Sequence, residues 1–92
     1  MALYAAKIVV RGRVQDVSFR SFTKKNADMM VIKGFVRNRD DGKVEAFFEG
    51  DKDAIETLIE AMRTGPEKAV VKNVDIEWHP YSGIYTDFKI IY

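Results

Sequence analysis

Residues 12–20 read GRVQDVSFR and join a segment of alternating pattern to one of helical spacing. A strand-to-helix connection leaves backbone N–H groups unpaired, and the helix start adds the positive end of the peptide dipoles. That combination suits an anion such as phosphate. Arg20, at the helix start, adds a planar guanidinium fork that can hold two phosphate oxygens. Asn38 is the second residue with chemical capacity, because an amide that donates and accepts can hold a water molecule and aim it. Each has a plainer reading on residue type alone. The connection can be one that binds nothing, and Asn38 can simply initiate the turn at Asp40-Asp41-Gly42.

The elements that must position these residues follow from period. Over residues 4–13, Ile8 and Val10 face one way and Lys7, Val9 and Arg11 the other, which predicts a strand with one buried face. Over residues 19–32 the step becomes three and four. Phe19, Phe22, Asn26, Met29 and Met30 then share a helical face, and Gly34 is placed to stop the helix. The Asp-Gly pair between 35–39 and 43–49 predicts a hairpin, with Val44, Ala46 and Phe48 opposite Lys43, Glu45, Phe47 and Glu49. Asp51 is placed to cap a second helix whose stripe is Ile55, Leu58, Ile59 and Met62, ended by Gly65-Pro66. A strand over 69–78 puts Val74, Ile76 and Trp78 opposite Asn73, Asp75 and Glu77. A loop follows over 79–83, and a last strand alternates Phe88, Ile90 and Tyr92. The order βαββαβ plus a short C-terminal strand predicts an α+β, ferredoxin-like sandwich: an antiparallel sheet with two helices on one face, one domain over residues 1–92.

Composition narrows the classes. A chain of 92 residues, 47% of them apolar, supports one two-layer core. No cysteine is present, which excludes disulfides and thiolate metal sites and fits a reducing compartment. No apolar run approaches bilayer length, and the opening MALYAAKIVV reads as a strand without a basic leader, so a cytoplasmic location and no membrane partner are expected. The net charge of +1 conceals an uneven distribution: residues 7–43 hold ten Lys or Arg against four Asp or Glu, and residues 44–92 hold five against ten. A basic N-terminal half draws in an anionic ligand, although charges on solvated faces also fall unevenly in a short chain.

The loop GRVQDVSFR followed by KGFVRNRDDGKVEAFFEG resembles the acylphosphatase family, whose pattern has the forms G-x-V-Q-G-V-x-F-R and G-x-V-x-N-x-x-D-G-x-V-E with E-G beyond. Gly12, Val14, Gln15, Val17, Phe19 and Arg20 match the first part. Gly34, Val36, Asn38, Asp41, Gly42, Val44, Glu45, Glu49 and Gly50 match the second. The resemblance spans the whole chain and implies a hydrolase that splits acyl phosphates into carboxylate and inorganic phosphate, with no metal or organic cofactor. It implies that the loop of Gln15, Asp16, Val17, Ser18 and Phe19, with Arg20, binds the phosphate, and that Asn38 positions the attacking water. Its partner is then a small acyl phosphate or phosphate anion, and the chain is expected to act as a monomer.

One position departs from the pattern: Asp16 stands where the family has glycine. If the backbone there needs a positive φ, Asp is among the less costly replacements, but a carboxylate near a phosphate repels it. Asp16 is therefore expected to point away from the ligand and to weaken binding without abolishing turnover; a silenced phosphate-binding relative is the alternative. Ser18 is expected to cap the helix. His79, the sole histidine, is expected in an exposed loop, and Met29 and Met30 in the core. Phe47 is left either to cover the sheet face or to join a dimer contact. Lys33-Gly34-Phe35-Val36 is similar to a fragment of the RNA-recognition motif, but it lies in the strand before the hairpin turn rather than after it, and the pI near 7.9 is only mildly basic. No nucleic-acid partner is therefore expected.

Overall fold

The computed structural model describes residues 2–92. Seven elements follow in the order β1 (Leu3–Arg13), α1 (Phe19–Met29), β2 (Lys33–Asn38), β3 (Val44–Asp51), α2 (Lys52–Thr64), β4 (Val70–Pro80) and β5 (Phe88–Ile91). The five strands form one sheet in the order β4-β1-β3-β2-β5. The pairs β1–β3, β1–β4 and β2–β3 are antiparallel, as expected. The added strand changes the sheet type: β5 pairs parallel to β2, so the sheet is mixed. A short terminal strand carries no signal for its partner's direction, and the extended 81–87 connection lets it reach the edge in the parallel sense.

Alternation selects the buried face. Ala6, Ile8 and Val10 of β1 and Val44, Ala46 and Phe48 of β3 join Phe19 and Ala27 of α1 and Ile55, Leu58, Ile59 and Met62 of α2 in one core. Both helices therefore cover the same side of the sheet. β4 is an edge strand, which is where Pro80 is tolerated, and its side chains are mostly exposed or half-buried.

The inner face of α1 differs from the expected one. Phe19, Thr23 and Ala27 are buried, Phe22 and Asn26 are half-buried, and Met29 is exposed. Thr23 and Ala27 do not read as apolar markers. The threonine is accommodated because its Oγ1 donates to the Phe19 carbonyl at 2.9 Å inside the helix. Gly34 does not stop this helix. The chain leaves it at Val31, a left-handed residue with φ 56°, after which the Ile32 N–H donates to the Ala27 carbonyl at 2.9 Å. Gly34 instead lies within β2 at φ 135°, where a Cβ would stand 1.8 Å from the Phe47 carbonyl oxygen. It is a site of close strand approach.

The outer face of the sheet is partly covered. Phe35 and Phe47 stack with centroids 6.2 Å apart, and Tyr85 and His79 pack against Phe47 at 5.6 and 6.0 Å. Phe47 thus helps cover the sheet. His79 lies in β4, with Nε2 2.6 Å from Glu77 Oε1, and not in an exposed loop. Glu49 is 1% exposed on this outer side. Its carboxylate accepts from the Ser82 N–H at 2.9 Å, the Ser82 hydroxyl at 2.7 Å and the Gly83 N–H at 3.0 Å. A buried carboxylate needs such donors, and these three fasten the connection that leads into β5.

Two substitutions are expected to move stability in opposite directions. Gly34→Ala places a methyl against backbone that cannot move without opening the β2–β3 pair, and is expected to cost about 4 kcal/mol or more in urea unfolding. Val31→Gly removes a β-branched residue from the left-handed region at a position 70% exposed, and is expected to add about 1 kcal/mol in the same measurement.

Candidate active site

Because β1 and β2 both run antiparallel to the β3 strand between them, they are parallel to each other and end on the same side of the sheet. The connection from β1 into α1 leaves at that side, and Asn38 is the last residue of β2 there. β5 runs parallel to β2 with Arg37 opposite Ile91, so Tyr92 arrives beside Asn38. Three carboxyl ends therefore converge. Between them lies a cavity of about 80 Å³ lined by Val14, Asp16, Ser18, Phe19, Arg20, Ser21, Asn38, Ile90 and Tyr92. It is far smaller than the roughly 300–1,000 Å³ of sites that enclose drug-sized ligands.

The local backbone is curled. Asp16 and Ser18 both adopt positive φ, 60° and 64°, with Val17 between them. Val17 and Phe19 anchor the loop by burying their side chains in the core, so only their backbone can meet a ligand. Ser18 occupies the N-cap position of α1, but its side chain makes no capping bond, and the first turn contains no acidic residue. The first intrahelical bond runs from the Phe22 N–H to the Ser18 carbonyl at 3.0 Å, which leaves the earlier amides of the turn without helical acceptors. α2 is the contrast: the Asp51 carboxylate accepts from the Ala54 N–H at 3.4 Å, and Asp53 stands in the first turn. One helix start is satisfied by its own carboxylates; the other stays open at the cavity.

Arg20 is held from the far side. Its guanidinium carbon lies 4.7 Å from the centroid of the Tyr92 ring, and Nη1 donates to the Ile91 carbonyl at 3.4 Å. A cation over an aromatic face is attracted to it, so the ring orients the fork without neutralising it. Asn38 shares the helix-side face of β2 with Gly34 and Val36, which turns its amide toward the cavity. Asp16 also lines the cavity and is exposed to solvent.

Of the residues singled out in the sequence, the cavity brings together Val14, Asp16, Ser18, Phe19, Arg20 and Asn38. Gln15 and Val17 do not line it. The Gln15 side chain turns to the β2–β3 hairpin, where Nε2 donates to the carbonyls of Arg39 at 2.7 Å and Lys43 at 3.0 Å. Sequence reasoning missed Ser21, Ile90 and Tyr92 as lining residues. The alternation of Phe88, Ile90 and Tyr92 marked a strand face, but only the parallel pairing with β2 brings that face to the cavity. Among the described residues, no group of three or more His, Cys, Asp or Glu is placed to hold a metal ion.

The sequence and the fold recur in known proteins. The family model described as acylphosphatase matches residues 6–90. An acylphosphatase of Pelotomaculum thermopropionicum is 44% identical over 92 residues, covering all of both chains. One from Pyrobaculum calidifontis is 47% identical over 90 residues, covering 97% of this chain and 82% of the relative. The crystal structure of the acylphosphatase from Bacillus subtilis superposes with a TM-score of 0.93 at 35% identity, over 99% of this chain and 100% of that one. This chain therefore belongs to the acylphosphatase family and is an enzyme of that kind.

Proposed function

We propose that the cavity binds the phosphoryl group of a small acyl phosphate, that Arg20 and the open amides of residues 16–20 hold its equatorial oxygens, and that Asn38 positions the water that attacks phosphorus. The observation that carries this reading is the uncapped first turn of α1 opening beside Arg20 and Asn38. The water oxygen forms the new bond to phosphorus as the bond to the acyl oxygen breaks. The carboxylate departs with that electron pair, and the water's proton passes to phosphate or solvent. A carboxylate is a stable leaving group near neutrality, its conjugate acid having a pKa of about 4, so no strong general base is required. Phosphoryl transfer asks mainly for in-line positioning and stabilisation of charge on the transferred group. Arg20, restrained by Tyr92, meets the second demand; Asn38 at the end of a paired strand meets the first.

We place the activity in a single domain over residues 1–92, acting as a monomer. The lack of cysteine supports a cytoplasmic site of action, and no described helix is long and apolar enough to cross a membrane. The cavity's size favours a small phosphate ligand over a nucleic acid.

Hydrolysis of benzoyl phosphate tests the assignment. Arg20→Ala is expected to lower kcat by ~10²–10³-fold, the scale of losing a preorganised charge-stabilising donor. Asn38→Ala is expected to lower it by about 10²-fold through loss of water alignment, with inorganic phosphate still bound. Normal turnover in both would sink the assignment of roles. Asp16→Gly removes a carboxylate from the cavity mouth and is expected to tighten inorganic phosphate binding by about 1 kcal/mol, roughly fivefold, in competition assays at low salt. Inactivity of the native chain, with activity appearing in Asp16→Gly, would identify a silenced relative.

A further inference from the structure

The loop before α1 and the strand that carries Asn38 belong to separate elements, and among the described residues Gln15 makes the side-chain hydrogen bonds that join the loop to the β2–β3 hairpin. Gln15 Nε2 donates to the carbonyl oxygens of Arg39 at 2.7 Å and Lys43 at 3.0 Å. Each carbonyl already accepts within the hairpin: Arg39 from the Gly42 N–H at 3.2 Å and Lys43 from the Arg39 N–H at 2.8 Å. The Gln15 amide thus takes the remaining lone pair of both. Its orientation is unambiguous, because an amide oxygen turned toward two carbonyl oxygens would be repelled. Gln15 is adjacent in the chain to Asp16 of the cavity, and Arg39 is adjacent to Asn38.

We infer that Gln15 is a positioning residue for hydrolysis: its amide sets the distance between the loop that holds the phosphoryl group and the Asn38 amide that aims the water. The inference rests on the acylphosphatase reading of the cavity. The ion pairs of the hairpin do not make the same link. Arg39 pairs with Asp41 at 2.9 Å and with Glu45 at 3.7 Å, so these contacts stay within the hairpin itself. Without the Gln15 amide the loop can still bind phosphate through its own backbone and Arg20, but the water and the phosphorus are no longer held in register. Catalysis suffers and anion binding does not.

Gln15→Met keeps the length and removes both donors, and Gln15→Lys restores a donor of similar reach. With benzoyl phosphate, Gln15→Met is expected to lose on the order of 10- to 100-fold in kcat, the scale of misplacing a positioned group or losing its outer support. Its affinity for inorganic phosphate stays near native, and Gln15→Lys regains part of the kcat. An unchanged kcat in folded Gln15→Met would overturn the inference. A parallel loss of kcat, phosphate affinity and melting temperature would overturn it too, by making Gln15 a general brace of the loop. A second measurement needs neither turnover nor a variant: hydrogen exchange of the native chain with and without inorganic phosphate. Phosphate is expected to slow exchange at the Arg39 and Gly42 amides, which lie outside the cavity. Protection confined to residues 16–21 would refute the coupling. An inactive native chain that still shows hairpin protection would count against the hydrolase reading and leave the tether standing.

Discussion

The first turn of α1 has amides that no group among the described residues accepts from, and the rest of the site is organised around that surplus. An uncapped helix start ordinarily costs about 1 kcal/mol relative to a capped one. Here Ser18 sits at the cap position in a left-handed conformation that takes its hydroxyl out of the capping role. The nearby side chains of Val17 and Phe19 are committed to the core, so the turn cannot relax toward a self-satisfied geometry without opening that core. On the proposed reading, an anion that fills the cavity meets these donors without competition from a capping side chain. Such donors contribute most where water is partly excluded.

Topology brings everything else to that turn. β3, inserted between β1 and β2, makes two strands that are distant in sequence parallel and brings their carboxyl ends together. β5 repeats the logic on the other flank of β2, and its parallel pairing delivers Tyr92 to Arg20. β5 depends in turn on the connection that Glu49 fastens from the opposite side of the sheet. Glu49 and Gly50 matched the family pattern in sequence, and the structure supplies a physical reason for the glutamate. It is a buried carboxylate with three donors from one connection, and it does not line the cavity.

Legibility in the sequence followed period and turn chemistry. The Asp-Gly hairpin, the Asp51 cap and the apolar stripe of α2 were readable because each is a local signal, complete within a few residues. The inner face of α1 was misread because Thr23 and Ala27 carry the burial there, and a threonine becomes tolerable in a core only once its hydroxyl finds the Phe19 carbonyl. Gly34 looked like a stop because glycine after a helix usually is one; its actual constraint is a strand neighbour 13 residues later in the chain. Arg20 and Asn38 were visible through the matched pattern, whereas Ile90 and Tyr92 were not, since parallel pairing at an edge has no local signature. The same holds for Gln15. A polar residue in a loop that resembles a phosphate-binding loop reads as a ligand, and only the hairpin's position shows that its side chain is occupied elsewhere.

Backbone strain separates use from tolerance. Among the described residues, three non-glycine residues adopt positive φ: Asp16, Ser18 and Val31. Val31 lies at the far end of α1 from the cavity, exposed, and its conformation serves only to turn the chain from helix to strand. Asp16 and Ser18 bracket Val17 in the loop itself, and their conformation curls the backbone around the space that Arg20 and Asn38 face. Residues that can bond to their own backbone visit this region at lower cost than a β-branched one, which makes Asp and Ser compatible with the curl and Val31 the more strained of the three. Asp16 nevertheless brings to the cavity lining a negative charge that glycine would not. On the proposed reading the effects of Asp16 on geometry and on electrostatics are separable, because one resides in φ and the other in a carboxylate that salt screens.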